Sequence, residues 1–277
     1  MTKNNSDQPI VLNTAHFLKM KESGEKISMI TAYDYAMAKC FAASEADLIL
    51  VGDSLGMVVL GYDNTLQVTL DDMIHHSKAV RRGAPDSFII TDMPYLSYHL
   101  EIRESKANAA RIMVEGRANA VKLEGGSASR IEAIKAIVDC EIPVCAHIGL
   151  TPQSVNRFGG YKVQGKTAAA HEIIFQEALS VEAAGAFMLV LEGIPELLGQ
   201  EISQAVKIPT IGIGAGRYTD GQVLVCNDLL GYADMRPKFV KSWADLNSVV
   251  TNAMNEYSRE VKAGSFPSPE YIYYPIT

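Results

Sequence analysis

Short apolar runs that each end in an acidic residue, a histidine or a glycine constrain the fold of this chain more than any other feature. The clearest run covers residues 48–52, after which the chain turns polar at Asp53 and Ser54. A continuous apolar run of this length is typical of a strand that is buried on both faces, as in a parallel sheet. The layout recurs five more times further along the chain, which indicates a repeated structural unit.

Helical segments separate the strand-like runs, and this alternation indicates parallel strands that are joined by crossover helices. Eight strands in a chain of 277 residues favour an α/β fold of the (β/α)8 TIM barrel class over an open sheet, since barrels of about 250 residues are common. The predicted strands cover residues 26–32, 48–52, 88–91, 120–123, 143–146, 187–191, 209–213 and 222–226.

We expect a single barrel domain over residues 1–277, with additions at both ends. Too few residues lie between Ile213 and Val223 for a full helix, so the seventh helix is predicted to be short or missing. The predicted additions are a polar segment over 1–12, a short helix over 13–23, a long helix over 243–262 and an extended, tyrosine-rich tail over 265–277.

The charge and composition of the chain restrict its partners. The formal net charge is −7 and the pI is about 5.4, which argues against nucleic acid or an anionic membrane as the main partner. No apolar stretch approaches the ~20 residues of a membrane span, and the first residues carry no signal-peptide pattern. The four cysteines form no Cys-x-x-Cys motif, which favours reduced thiols. We therefore expect a cytoplasmic protein that acts on small molecules.

Polar side chains that can carry chemistry follow five successive predicted strands. Catalytic groups of a barrel come from the carboxyl ends of several strands, so residues that are far apart in the sequence converge there. Lys122 lies two residues before Glu124 and therefore points to the same side of its strand. The candidates at the strand ends are Asp53, Asp92, Glu124, His147 and Glu192.

Carboxylates that converge at one barrel mouth repel each other, and a divalent cation is the usual means of offsetting that repulsion. Oxygen ligands without cysteine suit a hard ion such as Mg²⁺, while Zn²⁺ or Co²⁺ could replace it if His147 were a ligand. The alternative is that the acids are hydrogen-bonded structural groups or face solvent. Four of six successive strands switch from apolar to acidic residues, which favours a functional site.

Glu192 follows the most apolar of the predicted strands, so its carboxylate could be partly desolvated and act as a general base. From its position alone, a second metal ligand or a salt-bridged structural acid is the alternative. His147 either bonds a carboxylate or carbonyl group of the ligand or is a buried histidine with satisfied hydrogen bonds. We include His147 among the predicted substrate contacts.

Nine ordered segments resemble the ketopantoate hydroxymethyltransferase family of pantothenate biosynthesis. The resemblance spans residues 14–267, and neither 1–12 nor 268–277 carries a matching segment. The matching segments are TAYDY at 31–35, VGDSLGM at 51–57, AVRRGAP at 79–85, VKLEGG at 121–126, HIGLTPQS at 147–154, FGGYKVQG at 158–165, IGIGAG at 211–216, KFVK at 238–241 and GSFP at 264–267.

The resemblance implies a barrel of the phosphoenolpyruvate/pyruvate type that transfers a one-carbon unit from 5,10-methylenetetrahydrofolate to 3-methyl-2-oxobutanoate, giving 2-dehydropantoate. It also implies Mg²⁺ as the cofactor and assembly into a homo-oligomer, commonly a decamer. Asp53, Asp92 and Glu124 match the metal-binding acids of the family. Glu192 matches the proposed proton acceptor. The residues that match the 2-oxoacid contacts are Asp53, Ser54, Asp92 and Lys122.

These residues and the resemblance lead to the hypothesis of a metal-stabilised enolate mechanism. Glu192 removes the C3 proton next to a metal-polarised keto group, while Lys122 and Ser54 hold the carboxylate of the oxoacid. The loops over 54–69 and 150–165 are candidates to cover the reaction and exclude water. The alternatives are a carbon–carbon lyase or phosphonate mutase of the same barrel group acting on a small 2-oxoacid, and a non-catalytic barrel that binds small acids or serves only in assembly.

Overall fold

Eight strands pair in chain order and close into a barrel. The computed structural model describes residues 13–232 and 237–275. The strand pairs are parallel and the last strand returns to the first, which confirms the predicted (β/α)8 class. The strands are β1 Ile27–Thr31, β2 Leu48–Val51, β3 Phe88–Asp92, β4 Ala120–Glu124, β5 Val144–Gly149, β6 Met188–Glu192, β7 Thr210–Ile213 and β8 Gly221–Leu224.

Backbone pairing carries several strands further than their apolar runs predict. Glu124 pairs with His147 across β4 and β5. The sequence predicts that β5 ends at Ala146, but the strand continues to Gly149, which pairs with Glu192 of β6. An apolar pattern reports side-chain burial, whereas a strand ends where its hydrogen-bond ladder ends. Glu124, His147 and Glu192 therefore lie on the rigid strand ends themselves.

Capped helices connect the strands. The helix Leu70–Gly83 begins with a capping box, in which the Thr69 hydroxyl accepts from the Asp72 N–H and the Asp72 carboxylate accepts from the Thr69 N–H. These reciprocal bonds satisfy N–H groups that the start of a helix leaves without intrahelical partners. The longer helices of the barrel are Thr14–Ser23, Tyr35–Ala42, Leu70–Gly83, Ile102–Val114, Ala128–Val138, Ala168–Ala183 and Glu196–Ala205.

An apolar core fills the inside of the barrel below the polar strand ends. Phe17, from the first helix, packs edge-on against Phe88 with 5.0 Å between the ring centroids. Phe88 packs in the same way against Phe187 at 5.9 Å. Because apolar side chains occupy the amino-terminal end of the barrel, chemistry is confined to the carboxyl end. Other inward members of this core are Ile27, Met29, Leu48, Leu50, Ile90, Met188, Val190 and Ile211.

The connection between β7 and β8 contains no helix in its described residues 214–220, which confirms that the seventh helix is missing. The Asp220 carboxylate anchors this short connection. It accepts hydrogen bonds of 2.8 Å from the Thr210 N–H, the Thr210 hydroxyl and the Lys21 ammonium. The connection is therefore held by side-chain bonds to β7 and to the first helix.

Single helical turns occupy both of the long loops predicted over 54–69 and 150–165. Such turns satisfy backbone groups locally where the chain cannot join the strand ladder. The loops are thus more ordered than their composition predicts. The turns are Leu55–Val58, the 3₁₀ turn Thr65–Gln67, the 3₁₀ turn Pro152–Ser154 and Val155–Phe158.

The chain divides after Val225 into two compact units, and the second begins at Cys226. Its long helix begins at Leu246, whereas the sequence predicts a start at Trp243. The reason is a cap, since the Asp245 carboxylate accepts from the Ser248 N–H. The elements of this unit are the helices Cys226–Leu230 and Leu246–Ala263 and the 3₁₀ turn Pro269–Tyr271.

The single-domain assignment stays a prediction. The predicted polar segment over 1–12 and the last two residues of the predicted tail over 265–277 lie outside the described residues. Among the helices that are described, none is both long enough and apolar enough to cross a membrane.

The substitution Gly149→Ala is expected to destabilise the barrel by about 2–5 kcal/mol. Gly149 has a φ of +94°, and an added Cβ would lie 2.4 Å from the Glu192 carbonyl oxygen. A left-handed backbone and an overpacked contact each contribute of order 1–3 kcal/mol. Denaturant unfolding measures the loss. Gly24→Ala is the matched control, because Gly24 has a φ of +76° with open space around its Cβ; equal losses in both variants would contradict the contribution of the contact.

Candidate active site

Six polar side chains meet at the carboxyl end of the barrel. Asp53 lies two residues after the end of β2, and Glu192 is the last residue of β6. The other five side chains are almost completely buried, while Glu192 keeps 16% of its side-chain surface exposed. The six, which we call the acid cluster, are Asp53, Asp92, Lys122, Glu124, His147 and Glu192, and each of them is a candidate from the sequence.

The Lys122 ammonium lies among the carboxylates of the acid cluster. Its Nζ is 3.1 Å from Asp92 Oδ1 and 4.0 Å from Glu124 Oε1. Burial lowers the pKa of Lys122, but the neighbouring carboxylates, led by Asp92, outweigh burial and hold that pKa above its ordinary value. Lys122 is therefore charged and offsets part of the negative charge of the cluster.

Asp53 and Asp92 are joined by a hydrogen bond of 3.0 Å from the Asp53 N–H to Asp92 Oδ2. Burial raises the pKa of Asp53 well above its ordinary value, and the charges of Asp92 and Glu124 raise it further. Burial also raises the pKa of Asp92, although Lys122 lowers it in part. Asp92 Oδ1 meets Lys122 as an ion pair without the angle of a hydrogen bond. The described residues thus compensate these two acids only partly.

His147 lies between two carboxylates. Its Nδ1 is 3.5 Å from Glu124 Oε1, and its Nε2 is 3.3 Å from Glu192 Oε2. Burial and Lys122 lower the pKa of His147, but the two carboxylates outweigh them and raise it to about 9. The two carboxylates therefore favour the protonated imidazole. Lys122 Nζ lies 3.2 Å from Nδ1 and donates to it only in the neutral form. His147 links the buried acids to Glu192.

The pKa of Glu124 is shifted in the opposite direction from the pKa of Asp53. Burial raises the pKa of Glu124, but His147 and Lys122 outweigh burial and hold that pKa below its ordinary value. Glu124 is thus charged, whereas the raised pKa of Asp53 indicates that Asp53 has the least compensated charge. A further positive charge beside Asp53 would stabilise the ionised cluster.

The donor atoms and the charge of the acid cluster fit a divalent cation. Four carboxylates face one ammonium and one imidazolium, which leaves two negative charges when all six groups are ionised. The described residues contain no group of three His, Cys, Asp or Glu side chains already in coordinating positions. Mg²⁺ commonly binds through one or two carboxylates together with water and substrate oxygens. A hard cation is therefore compatible with these residues.

Ser54 lies next to the acids because Gly52 has no side chain. An added Cβ at Gly52 would lie 2.8 Å from Ser54 Oγ and 3.6 Å from Asp92 Oδ2. The Ser54 hydroxyl is also 2.9 Å from the Tyr33 hydroxyl, which comes from the end of β1. The predicted substrate contact Ser54 is thus brought to the edge of the acid cluster.

The two long loops meet at the barrel mouth. The Tyr161 hydroxyl donates to Met57 Sδ at 3.3 Å, which joins the loop after β5 to the loop after β2. Burial raises the pKa of Tyr161, and the charge of Glu192 raises it further. The charge of Glu192 therefore acts on the Tyr161 hydroxyl. This is expected if the loop that carries Tyr161 covers the site.

A cavity of about 260 Å³ adjoins the acid cluster on the side of β4 and β5. Its walls include Glu124 and Gly149, and also Arg130, Arg157 and Glu177 from the surrounding loops and helices. Burial raises the pKa of Glu177, which marks this wall as poorly solvated. The cavity offers space beside the cluster for part of a substrate that is larger than a small oxoacid.

Two buried residues of the site, Gln153 and Tyr98, are missed by sequence reasoning. Gln153 Nε2 donates to Asp53 Oδ2 at 2.8 Å, and Gln153 Oε1 accepts from the Tyr98 hydroxyl at 2.6 Å. Both residues belong to loops, where neither a helical nor a strand periodicity indicates burial. The one hint is that Gln153 belongs to the segment after His147 that resembles the family.

Sequence comparison connects the chain to one family along almost its whole length. The family described as Ketopantoate hydroxymethyltransferase matches residues 11–269. A 3-methyl-2-oxobutanoate hydroxymethyltransferase of Clostridium beijerinckii is 54% identical over 258 residues, which cover 93% of this chain and 94% of that protein. The protein of the same name from Bacillus pumilus is 54% identical over 259 residues, covering 93% of this chain and 92% of the relative.

Solved structures with the same fold are far more distant in sequence. Phosphonopyruvate hydrolase in complex with oxalate and Mg²⁺ is similar at a TM-score of 0.61 and 10% identity, covering 95% of this chain and 92% of its own. A 2,3-dimethylmalate lyase of the PEP mutase/isocitrate lyase superfamily is similar at a TM-score of 0.61 and 16% identity, covering 95% and 91%. At these identities the likeness shows the barrel fold alone.

Proposed function

The chain belongs to the ketopantoate hydroxymethyltransferase family, and on that premise we propose that it transfers a hydroxymethyl group to 3-methyl-2-oxobutanoate. It is an enzyme of the transferase class. The proposed one-carbon donor is 5,10-methylenetetrahydrofolate, and the proposed product is 2-dehydropantoate, an intermediate of pantothenate biosynthesis. The observation that carries the proposal is the buried acid cluster in which Glu192 is the most exposed carboxylate.

The proposed cofactor is Mg²⁺, with Zn²⁺ or Co²⁺ as alternatives if His147 is a ligand. Asp53, Asp92 and Glu124 are the residues that would hold it, since their oxygens form the acidic side of the cluster. When bound, a divalent cation supplies electrophilic polarisation of the keto group and so makes the neighbouring C3 proton more acidic.

Lys122 and Ser54 are proposed to hold the carboxylate end of the oxoacid. Lys122 is a buried cation beside Asp92, and the Ser54 hydroxyl lies at the edge of the same acids. A charged donor and a hydroxyl suit a carboxylate, because hydrogen bonds to an ionised group are the stronger ones. This contact orients C3 relative to Glu192. Asp53, Asp92 and His147 complete the proposed set of substrate contacts.

Glu192 is proposed to be the general base. Its carboxylate takes the C3 proton, and the electron pair of the C–H bond moves into the enolate. His147 Nε2 lies 3.3 Å from Glu192 Oε2 as an ion pair without the geometry of a hydrogen bond, so the imidazole is the nearest cationic group to the proposed base. The enolate carbon then forms a bond to the methylene carbon of the folate, and both C–N bonds of that carbon to the folate break. Water supplies the hydroxyl oxygen of the product, and tetrahydrofolate leaves with the former C3 proton and one proton of that water on its two nitrogens. Contact between Tyr161 and Met57 supports a loop cover that limits the access of other water molecules.

A cytoplasmic location is proposed from the resemblance. Assembly into a homo-oligomer, and a decamer in particular, is proposed on the same basis.

Large apolar side chains exposed on the helix Leu246–Ala263 support the proposed assembly. Val249, Met254 and Tyr257 each expose more than half of their surface, at 62%, 66% and 59%. Exposed apolar residues in such number on one helix are typical of a surface that binds another protein.

An omission assay tests the proposed reaction. The complete mixture of 3-methyl-2-oxobutanoate, methylenetetrahydrofolate and Mg²⁺ is expected to give 2-dehydropantoate, detected by mass spectrometry. Omission of Mg²⁺ should stop both product formation and C3 hydrogen–deuterium exchange, because the C3 proton then loses its acidity. Omission of the folate should stop only product formation.

The same assay separates the proposed reaction from the lyase and mutase alternatives. A carbon–carbon lyase or a phosphonate mutase acts on its oxoacid without folate. Turnover of the oxoacid that does not require the folate would therefore contradict the proposed transfer. The lyase and hydrolase structures that share the fold give these alternatives no further support, since they are so distant in sequence.

A further inference from the structure

Each of the three proposed metal-binding acids has one carboxylate oxygen held by an N–H group. Asp92 Oδ2 accepts from the Asp53 N–H at 3.0 Å. Asp53 Oδ2 accepts from Gln153 Nε2 at 2.8 Å. Glu124 Oε2 accepts from the Gln153 N–H at 2.9 Å. A single residue, Gln153, thus supplies two of the three bonds that orient the acids.

All the hydrogen-bonding groups of the Gln153 side chain are used within the protein. Its Nε2 also donates to the Met93 carbonyl at 3.0 Å, and its Oε1 accepts from the Tyr98 hydroxyl at 2.6 Å. The residue is 5% exposed and belongs to the 3₁₀ turn Pro152–Ser154, which begins three residues after the end of β5. An amide with this many partners has one allowed position, so the acids that it contacts are held to the rigid end of a strand.

The orientation of the Gln153 amide follows from the backbone. The Glu124 N–H donates to the Tyr98 hydroxyl at 3.0 Å. A hydroxyl that accepts this bond turns its own hydrogen elsewhere, and the near acceptor is Gln153 Oε1 at 2.6 Å. The amide nitrogen must then face Asp53. The Tyr98 hydroxyl therefore fixes the orientation in which the amide nitrogen of Gln153, a donor, faces the Asp53 carboxylate.

We propose that Gln153, oriented by Tyr98, is a positioning residue that holds one oxygen of Asp53 and one of Glu124, so that both carboxylates are fixed in direction before a divalent cation binds. The inference deepens the proposed function and rests on it for the identity of the cation. Metal-binding carboxylates in proteins are commonly held by such outer hydrogen bonds, and loss of one typically weakens metal affinity by about 10–100-fold.

The test is the affinity of the whole enzyme for Mg²⁺ alone, measured by titration calorimetry without oxoacid or folate. The variant Gln153→Met removes the amide while keeping the length and the net charge of the side chain. We expect its Mg²⁺ dissociation constant to rise by about 10–100-fold. Tyr98→Phe, which keeps the ring that packs against Arg130 at 5.1 Å, is expected to raise the constant to a smaller extent.

Two further variants test whether Tyr98 acts through Gln153 and whether the effect is specific to this glutamine. Because Tyr98 acts through Gln153, the effects of the two substitutions should be less than additive in the double variant. Gln222→Met is the control, since the Gln222 amide bonds the Gly216 carbonyl and the Thr219 hydroxyl and touches none of the acids. It should leave the Mg²⁺ affinity of the enzyme unchanged.

Several outcomes would overturn the inference. One is a folded Gln153→Met or Tyr98→Phe variant that binds Mg²⁺ as the wild type does, even if its melting temperature falls. Another is a wild-type enzyme that binds no Mg²⁺. Because the titration contains no substrate, it is independent of turnover. If the wild type makes 2-dehydropantoate and both variants keep the full affinity for Mg²⁺, the positioning role is contradicted and the proposed function is not.

Discussion

Replacement of Glu192 with glutamine is expected to slow the C3 hydrogen–deuterium exchange of 3-methyl-2-oxobutanoate by about 10²–10⁴-fold, the usual contribution of a general base. Glutamine has the size of glutamate and can keep the contact with His147 Nε2, which is 3.3 Å in the native protein. It cannot accept the C3 proton. Binding of the oxoacid should change little, because Lys122 and Ser54 are the residues proposed to hold its carboxylate.

The exchange is followed by NMR in deuterated water with Mg²⁺ present and folate absent, so that only the proton transfer is measured. Glu201→Gln is the matched control. Glu201 is also a glutamate paired with a histidine, since its Oε2 is 2.7 Å from His171 Nε2, but the pair is outside the acid cluster. The control should exchange at the native rate. Native exchange in Glu192→Gln would show that another group removes the proton.

Replacement of Asp92 with asparagine is expected to raise the Mg²⁺ concentration for half-maximal exchange by more than about 100-fold, since loss of a ligand should exceed the loss of an outer hydrogen bond. Asparagine keeps a carbonyl oxygen that can accept from the Asp53 N–H, a bond of 3.0 Å in the native protein. The variant therefore removes one negative charge with little change of shape. It also removes the carboxylate nearest to Lys122.

A second measurement of the Asp92→Asn variant does not depend on catalysis. A ligand that binds only the folded state raises its stability by an amount that depends on the ratio of ligand concentration to dissociation constant. Mg²⁺ should thus raise the melting temperature of the wild type and raise that of Asp92→Asn less. Asp71→Asn is the control, because Asp71 is an exposed acid that pairs with Arg111. An unchanged Mg²⁺ requirement would remove Asp92 from the ligand set.

The strands and the places of the acids could be predicted because they depend on patterns that neighbouring residues carry. An unbroken apolar run before Asp53 indicates a strand buried on both faces, and parallel strands bring their carboxyl ends to one mouth. The end of β5 could not be predicted in the same way. Its continuation from Ala146 to Gly149 depends on pairing with β6, and a partner strand is not visible in the run itself.

Residue order alone predicts the barrel class, a short or missing seventh helix and the candidate acids, because periodicity and residue type report burial and chemistry locally. The way in which those acids are held depends on contacts that form when the chain folds. Gln153 meets Asp53 across 100 residues of chain, and His147 comes between Glu124 and Glu192. Hydrogen bonds and charge interactions depend on distance and direction in space, and these are set by the closure of the barrel and the paths of its loops.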